Sequence, residues 1–230
     1  MDVALSEAFW IGVLKIIGVN TALSVDNAVV IALAARALPH RQQRAAIFFG
    51  ATAAITARVL LTIFAVRLLD YPWLKLIGAL ILLWIGIKLL LPAAGSENIE
   101  ASDTLLAAIK TILVADLVMS LDNILVVAAA AGGSLAVLII GLAVSIPLVM
   151  LGATMLLKIM ERWPVIITVG AALIGWIAGD MFVTEQAIAE LVDANAAWLK
   201  TFYVANIIGA FVVVAMGAAI SGRRKSVAAK

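Results

Sequence analysis

Seven stretches of mainly apolar residues dominate the chain, and each is about as long as the roughly 20 residues that a helix needs to cross a bilayer. They cover residues 9–38, 45–69, 73–91, 105–131, 135–159, 165–183 and 202–220. Proline, glycine and charged residues mark the breaks between them. The stretches lack the alternation of a membrane β-barrel. The sequence therefore predicts one all-α transmembrane domain over 1–230, with seven helices.

Composition agrees with a lipid environment and narrows the chemistry. Hydrophobic residues make up 65% of the chain and charged residues 13%, whereas soluble domains are about half apolar and one quarter charged. There is no cysteine and one histidine, so a metal ion here must be held by oxygen ligands, and no tightly bound cofactor is expected. The net charge of +2 is small, which argues against nucleic acid as a partner.

The basic residues predict an orientation in the membrane. Lys and Arg are enriched in cytoplasmic loops, and one set of alternating loops holds most of them. This set comprises Arg36, Arg41, Arg44, Lys88, Lys110, Lys158, Arg162, Arg223, Arg224, Lys225 and Lys230. We therefore expect the N-terminus outside and the C-terminus in the cytoplasm.

An internal repeat is the most informative pattern. Residues 20–27 read NTALSVDN, and residues 116–123, 96 positions later, read DLVMSLDN. A second match pairs Trp84-Ile85 with Trp176-Ile177 at a spacing of 92. The chain thus divides into two three-helix units, about 8–92 and about 104–183, and a final helix at about 202–221. Because three is odd, the second unit is inverted relative to the first, as in many secondary transporters whose substrate sites lie between the repeats.

Polar residues inside these repeats are candidate metal ligands. An aspartate at the centre of a membrane helix costs roughly 2.5–3.5 kcal/mol, which invites a functional explanation. Carboxylate, amide and hydroxyl oxygens suit Mg²⁺, Mn²⁺ or Ca²⁺, and two aspartates neutralise a divalent ion. The candidates are Asp26, Asn27, Asp122, Asn123, Asp116, Asn20, Ser24 and Ser120, with Asp180 as a third carboxylate at the cavity mouth, a proton acceptor or a solvated helix end.

Regular helix geometry does not gather all of these ligands on one side. Asn20, Ser24 and Asn27 form one stripe at i, i+4 and i+7, whereas Asp26 lies about 100° away from Asn27. The first stretch is also longer than a bilayer requires. We therefore expect a local irregularity near residues 24–27, and another near residues 120–123.

A purely structural reading of the aspartates stays open. Polar side chains in membrane interiors often bind neighbouring helices. Arg58 and Lys15 are the available cations, and each could pair with an aspartate of the Ser-x-Asp-Asn segments, pair with Asp116 or extend to the membrane surface.

These motifs resemble the TerC family of integral membrane proteins, in its short YjbE/YkoY-like branch. The resemblance covers 9–183 and rests on Ser24-Val25-Asp26-Asn27-Ala28, Ala32, Gly78, Trp84-Ile85-Gly86-Ile87-Lys88, Asp116 and Ser120-Leu121-Asp122-Asn123. It implies seven helices, two repeats, a place in the bacterial inner membrane and export of Mn²⁺ from the cytoplasm. It also implies a role in transport for Asp26, Asn27, Asp122 and Asn123, with Asp116 as a further acidic candidate.

The leading hypothesis is therefore an exporter of a divalent metal ion, with Mn²⁺ as first candidate, working by alternating access. The alternatives are a non-transporting scaffold subunit of a stress-response complex and an exporter of a small cationic metabolite. An enzyme is not expected, since no nucleophile–base pair or cofactor motif is present. The choice among Mn²⁺, Mg²⁺ and Ca²⁺, the coupling ion, and the oligomeric state, a homo-oligomer included, stay open at this point.

Overall fold

The computed structural model describes residues 7–68, 73–91 and 101–228, and these ranges are helical apart from short turns. Within them no strand is found, so the all-α prediction is confirmed. Two 3₁₀ turns, Ala197–Leu199 and Thr201–Tyr203, precede the last helix. The α-helices are α1 (Glu7–Leu23), α2 (Val25–Ala35), α3 (His40–Leu68), α4 (Leu74–Leu90), α5 (Ala101–Ala130), α6 (Leu135–Arg162), α7 (Val165–Val183), α8 (Gln186–Asn195) and α9 (Val204–Ala228).

Several of these helices are long and apolar enough to cross a membrane, which makes the chain a polytopic membrane protein. The described residues contain five such spans, and α1 with α2 forms a sixth that is bent by 55°. Helix α4 has 17 residues, the lower end of the spanning range. The seven spans and the two-repeat architecture stay predictions.

The first span is broken at Ser24, as expected from its length and its polar residues. Ser24 has φ −111° and ψ 8°, outside helical geometry, and separates α1 from α2. Its backbone N–H donates to Thr21 O at 3.3 Å, and its carbonyl accepts from Ala28 N at 3.0 Å. The irregularity predicted for residues 24–27 is therefore present.

The irregularity expected near residues 120–123 is absent, and that prediction is wrong. Helix α5 runs from Ala101 to Ala130 without interruption. The Ser120 hydroxyl donates to the Asp116 carbonyl at 2.5 Å, and Asn123 Nδ2 reaches Met119 O at 3.5 Å. These side chains bind carbonyls four residues back in their own helix, so they do not release backbone groups from the helix.

Two glycines mark close helix contacts beside the polar residues. A Cβ atom on Gly50 of α3 would lie 2.7 Å from Ile112 Cδ1 of α5, and one on Gly141 of α6 would lie 2.7 Å from Ile16 Cβ of α1. Small residues let membrane helices approach closely. These contacts place α3 against α5 and α6 against α1.

A third tight contact joins α7 to α9. Gly175 and Gly179 are four residues apart on α7, and a Cβ on either would lie within 2.4 Å of a backbone oxygen of α9, that of Gly209 or Ala205. This is the small-xxx-small arrangement by which membrane helices pack backbone to backbone. It holds the last helix against the bundle.

Candidate polar site around Arg58

One buried arginine joins three helices at the centre of the polar residues. Arg58, on α3, is 2% exposed. Its Nη2 donates to Asp116 Oδ1 at 2.5 Å and its Nε to Ser120 Oγ at 3.0 Å, both on α5. Its Nη1 donates to Asn20 Oδ1 at 2.5 Å and to Ser24 Oγ at 3.2 Å, at the end of α1. Arginine suits this position because its planar guanidinium carries five donors in a fixed arrangement.

The contact between α3 and α5 explains why Arg58 meets Asp116. Gly50 packs on Ile112, Arg58 follows Gly50 by eight residues, and Asp116 follows Ile112 by four. Residues spaced by four or eight lie near one face of a helix. The glycine contact therefore brings the arginine and the carboxylate to the same interface.

Asp116 and Ser120 form the acceptor side of this cluster on α5. Both are buried, as are Asn20 and Ser24 on the opposite side. Ser120 Oγ lies 3.3 Å from Asp116 Oδ2 and can share its proton with that oxygen or with the Asp116 carbonyl. A buried charge of this kind persists only when it is paired and hydrogen-bonded, and Arg58 supplies both.

Within the part of the chain that the structure describes, Asn27 has a side-chain amide that lacks a partner on both its nitrogen and its oxygen, whereas Asn20 lacks one on its nitrogen alone. Asn27 is 3% exposed, and among the described residues neither its amide nitrogen nor its amide oxygen has a hydrogen-bond partner. An unpaired buried polar group costs about 1–3 kcal/mol. Such a group in a native structure calls for an explanation, and a bound ligand is one.

A small cavity lies beside Asn27. Its walls include Ser24, Asn27, Arg58 and Asp116, with aliphatic side chains completing them. It offers about 10 Å³ to the centre of a water molecule, which is room for about one water or one bare ion. The cavity therefore joins the unpartnered amide to the Arg58–Asp116 pair.

Asp26 stands at the first turn of α2, immediately after the break. Its Oδ1 accepts a hydrogen bond from the Asn27 backbone N–H at 2.8 Å, one of the donors that a helix start leaves without an intrahelical partner. The side chain is half-buried and lies within electrostatic reach of Arg58 and Asp116.

The remaining candidates are placed less centrally. The backbone of Asp122 is helical, but its side chain lies outside the described residues. Asn123 is half-buried. Asp180 is exposed at the end of α7, where its Oδ1 accepts from Asn206 Nδ2 at 3.3 Å. Among the side chains that the structure describes, no three Asp, Glu or His residues gather as a metal site.

The structure thus brings four predicted ligands together around a residue that was not among them. Asn20, Ser24, Asp116 and Ser120 all bind Arg58. Of the roles weighed for Arg58 from the sequence, pairing with Asp116 is the one observed. The sequence feature that points to Arg58 is an arginine inside an apolar stretch, with acidic residues in neighbouring helices.

Comparisons with known proteins find similarity to integral membrane proteins. The sequence profile described as "Integral membrane protein TerC family" matches residues 5–226. The uncharacterized membrane protein YjbE of Bacillus subtilis (strain 168) is 39% identical over 181 residues, which cover 79% of this chain and 83% of YjbE.

Two further relatives from the same organism are more distant. The uncharacterized membrane protein YkoY is 27% identical over 77% of this chain and 61% of its own length, and YceF is 28% identical over 69% and 65%. The matched region thus spans less than two thirds of YkoY and of YceF. No solved structure matches the chain. The profile covers nearly the whole sequence and YjbE exceeds 30% identity over most of both chains, so the chain belongs to the TerC family of integral membrane proteins.

Proposed function

We propose that the protein is a membrane transporter that exports a divalent metal ion, with Mn²⁺ as first candidate, from the cytoplasm. The ion binds at the break between α1 and α2, with Asp26 and Asn27 from the first repeat and Asp122 and Asn123 from the second. The observation that carries this proposal is Asn27: its buried amide has no partner among the described residues and borders a cavity of ionic size.

The formal charges of the acidic and basic residues proposed for the site support a divalent substrate. Asp26, Asp116 and Asp122 contribute three negative charges, and Arg58 contributes one positive charge. The remaining charge of −2 equals that of one divalent cation with opposite sign. Uncompensated charge in a low-dielectric interior is strongly unfavourable, so the cluster favours such an ion over a monovalent one.

The helix contacts support two inverted repeats around this site. Ile16 and Ile112 are 96 residues apart, the spacing of the two Ser-x-Asp-Asn segments, and their partners Gly50 and Gly141 are 91 apart. Helix α3 of the first unit therefore packs on α5 of the second in the way that α6 packs on α1. Two units related by a two-fold axis pack on each other in this reciprocal way. Inverted repeats of this kind transport by alternating access.

The scaffold alternative draws on the Arg58–Asp116 pair, because a fully hydrogen-bonded ion pair between α3 and α5 is also what a purely structural cluster would contain. One feature favours transport over it: the scaffold reading leaves the Asn27 amide without a partner among the described residues. The small cavity speaks against the other alternative, a cationic metabolite, since about one water fills it.

The test is the manganese content of metal-loaded cells that express the parent chain, Asp26→Asn or Asp122→Asn at equal membrane abundance. Asp193→Asn is the matched control, because Asp193 lies on α8 with its side chain 60% exposed and is not a candidate ligand. We expect lower manganese with the parent and the control, and no lowering with the other two variants. Unchanged manganese in all cells would contradict the manganese assignment, and magnesium and calcium measured in the same samples would identify another ion.

A further inference from the structure

We propose that Arg58 is a built-in competitor of the transported ion: its guanidinium holds Asp116 in the metal-free protein, and the metal ion takes Asp116 from it. This inference rests on the proposed function and adds a residue that sets how tightly the ion is held. Three observations carry it.

The first observation is that Arg58 and the predicted metal site use the same oxygen atoms. Asn20 Oδ1, Ser24 Oγ, Ser120 Oγ and Asp116 Oδ1 all accept hydrogen bonds from Arg58. With these four oxygens engaged, the described lining of the cavity retains two groups that Arg58 does not bind: the neutral amide of Asn27, and Asp116 Oδ2, which lies 3.3 Å from Ser120 Oγ. A divalent ion that has lost its water needs several oxygen ligands and usually a carboxylate. Among the described residues that line this cavity Asp116 supplies the carboxylate, so an ion bound there competes with Arg58 for that group.

The second observation is that Asp116, Arg58, Ser24 and Asn27 line one common cavity. An ion that enters it therefore meets the Asp116 carboxylate and the Asn27 amide directly. Repulsion between the ion and the guanidinium is strong in a buried site, and it drives Arg58 away from Asp116. The neutral oxygens of Asn20 and Ser120 remain as acceptors for the displaced guanidinium.

The third observation is that the second half of the repeat lacks this ion pair. Gly50 and Gly141 are 91 residues apart, and the residue 91 positions after Arg58 is Val149. The two Ser-x-Asp-Asn segments are 96 residues apart, and the residue 96 positions before Asp116 is Asn20. The α1–α6 contact is thus made without an ion pair, so close packing of such helices does not require one. Val149 lines the same cavity. The two charged residues that the α1–α6 contact lacks, Arg58 and Asp116, therefore lie at the site and not elsewhere in the bundle.

The consequence is that Arg58 keeps the affinity of the site for the metal ion low enough for the ion to be released. A transporter must bind its ion well enough to load and weakly enough to unload. The ion has to replace the hydrogen bonds that Arg58 makes to Asp116, and the guanidinium still repels it afterwards. Removing the positive charge should therefore strengthen binding and slow export, a combination that loss of a merely structural contact does not produce.

The experiment measures Mn²⁺ affinity by calorimetry on purified protein in lipid nanodiscs, together with export from cells. We expect Arg58→Gln to bind Mn²⁺ about tenfold more tightly or better than the parent and to export it more slowly. Arg58→Lys, which keeps the charge but loses the fork of donors, should stay near the parent in affinity. If the parent binds Mn²⁺ and Arg58→Gln binds it equally or more weakly, this inference is overturned and the proposed function is not.

A second comparison covers the case in which Arg58→Gln does not fold because Asp116 is left buried and unpaired. Here Asp116→Asn is compared with Asp116→Asn combined with Arg58→Gln, and the double variant should bind Mn²⁺ more tightly, since it lacks the repelling charge. The reverse order would again overturn the inference. If neither the parent nor any variant binds Mn²⁺, the manganese form of the proposed function fails first and this inference fails with it.

Discussion

Arg58 and Asp116 form an ion pair across 2.5 Å between α3 and α5, and their side chains are only 2% and 7% exposed. Their helices meet through Gly50 and Ile112. Because Gly50 has no side chain, this contact is close and determines where the two charges meet. The pair also connects to the end of α1 through Asn20 and Ser24. The polar site is therefore sensitive to changes in packing some distance from it.

The ion pair itself gives the first stability prediction. Arg58→Gln leaves Asp116 buried without a counter-charge, and breaking a buried pair in this way costs about 3–5 kcal/mol. Arg58→Gln combined with Asp116→Asn removes both charges and should recover most of that loss. Thermal unfolding in detergent measures both variants.

The control for this prediction is a solvent-exposed pair of similar length. Lys200 Nζ lies 2.6 Å from Asp193 Oδ1, with side chains 35% and 60% exposed. Lys200→Gln should cost under about 1 kcal/mol, as exposed pairs do. Equal losses for Arg58→Gln and Lys200→Gln would show that the buried pair does not hold α3 and α5 together.

The glycine contact predicts an effect on the site from a distance. Gly50→Val places carbon atoms where Ile112 already lies, and overpacking of this kind costs about 1–3 kcal/mol. It should also separate α3 from α5, weaken the Arg58–Asp116 contact and reduce export. Gly18→Val on α1 is the matched control, because a Cβ there meets nothing within 4 Å. Export equal to the parent in Gly50→Val at equal abundance would contradict this coupling.

Glu185 predicts a pH dependence of stability outside the membrane-spanning helices. Its carboxylate accepts from the backbone N–H groups of Lys75 at 2.8 Å and Leu76 at 3.2 Å at the start of α4, and of Ala187 at 3.1 Å at the start of α8. Burial alone would raise the pKa of Glu185, but these backbone donors outweigh it and hold the pKa below its usual value of 4.5.

A lowered folded-state pKa means that the unfolded chain binds the proton more readily. The stabilisation from Glu185 is therefore fully present above the unfolded pKa and is lost as the pH falls from there through the folded pKa. Melting temperatures of the parent should fall more steeply below about pH 4.5, the usual pKa of the group, than those of Glu185→Gln. Glu190→Gln, at an exposed position of α8, should keep the slope of the parent, and a parent slope matching Glu185→Gln would contradict the capping role.

The two copies of the Ser-x-Asp-Asn motif show how far the sequence predicts this structure. The break at Ser24 was predictable because the first apolar stretch exceeds the bilayer and contains polar side chains near its middle. The same reasoning fails for Ser120, which lies in an unbroken helix. Both serines accept a hydrogen bond from Arg58, but Ser120 donates to the Asp116 carbonyl of its own helix, whereas Ser24 donates to the Asn20 side chain.

The central place of Arg58 was not predictable for a similar reason. The sequence identified it as a counter-ion for an aspartate, but the register of α3 on α5 depends on the close contact of Gly50 with Ile112. Local patterns of hydrophobicity do not encode such a register. They do place the polar residues of each segment on one helix face, which is why four of the predicted ligands are found together.

Asn27 offers the sharpest separation of function from stability. Its amide is buried and unpartnered among the described residues, and an unsatisfied group of this kind costs about 1–3 kcal/mol. Asn27→Leu has similar volume and no polar atoms, so it should leave the melting temperature unchanged or raise it. The same variant should lose manganese export, because it removes the amide oxygen from the proposed ion site.

Asn123→Leu is the comparison from the second repeat: Asn123 Nδ2 reaches Met119 O at 3.5 Å, so this variant should gain less stability. A large loss of stability in Asn27→Leu would show that the amide has a structural partner, and export at the parent's rate would remove Asn27 from the site.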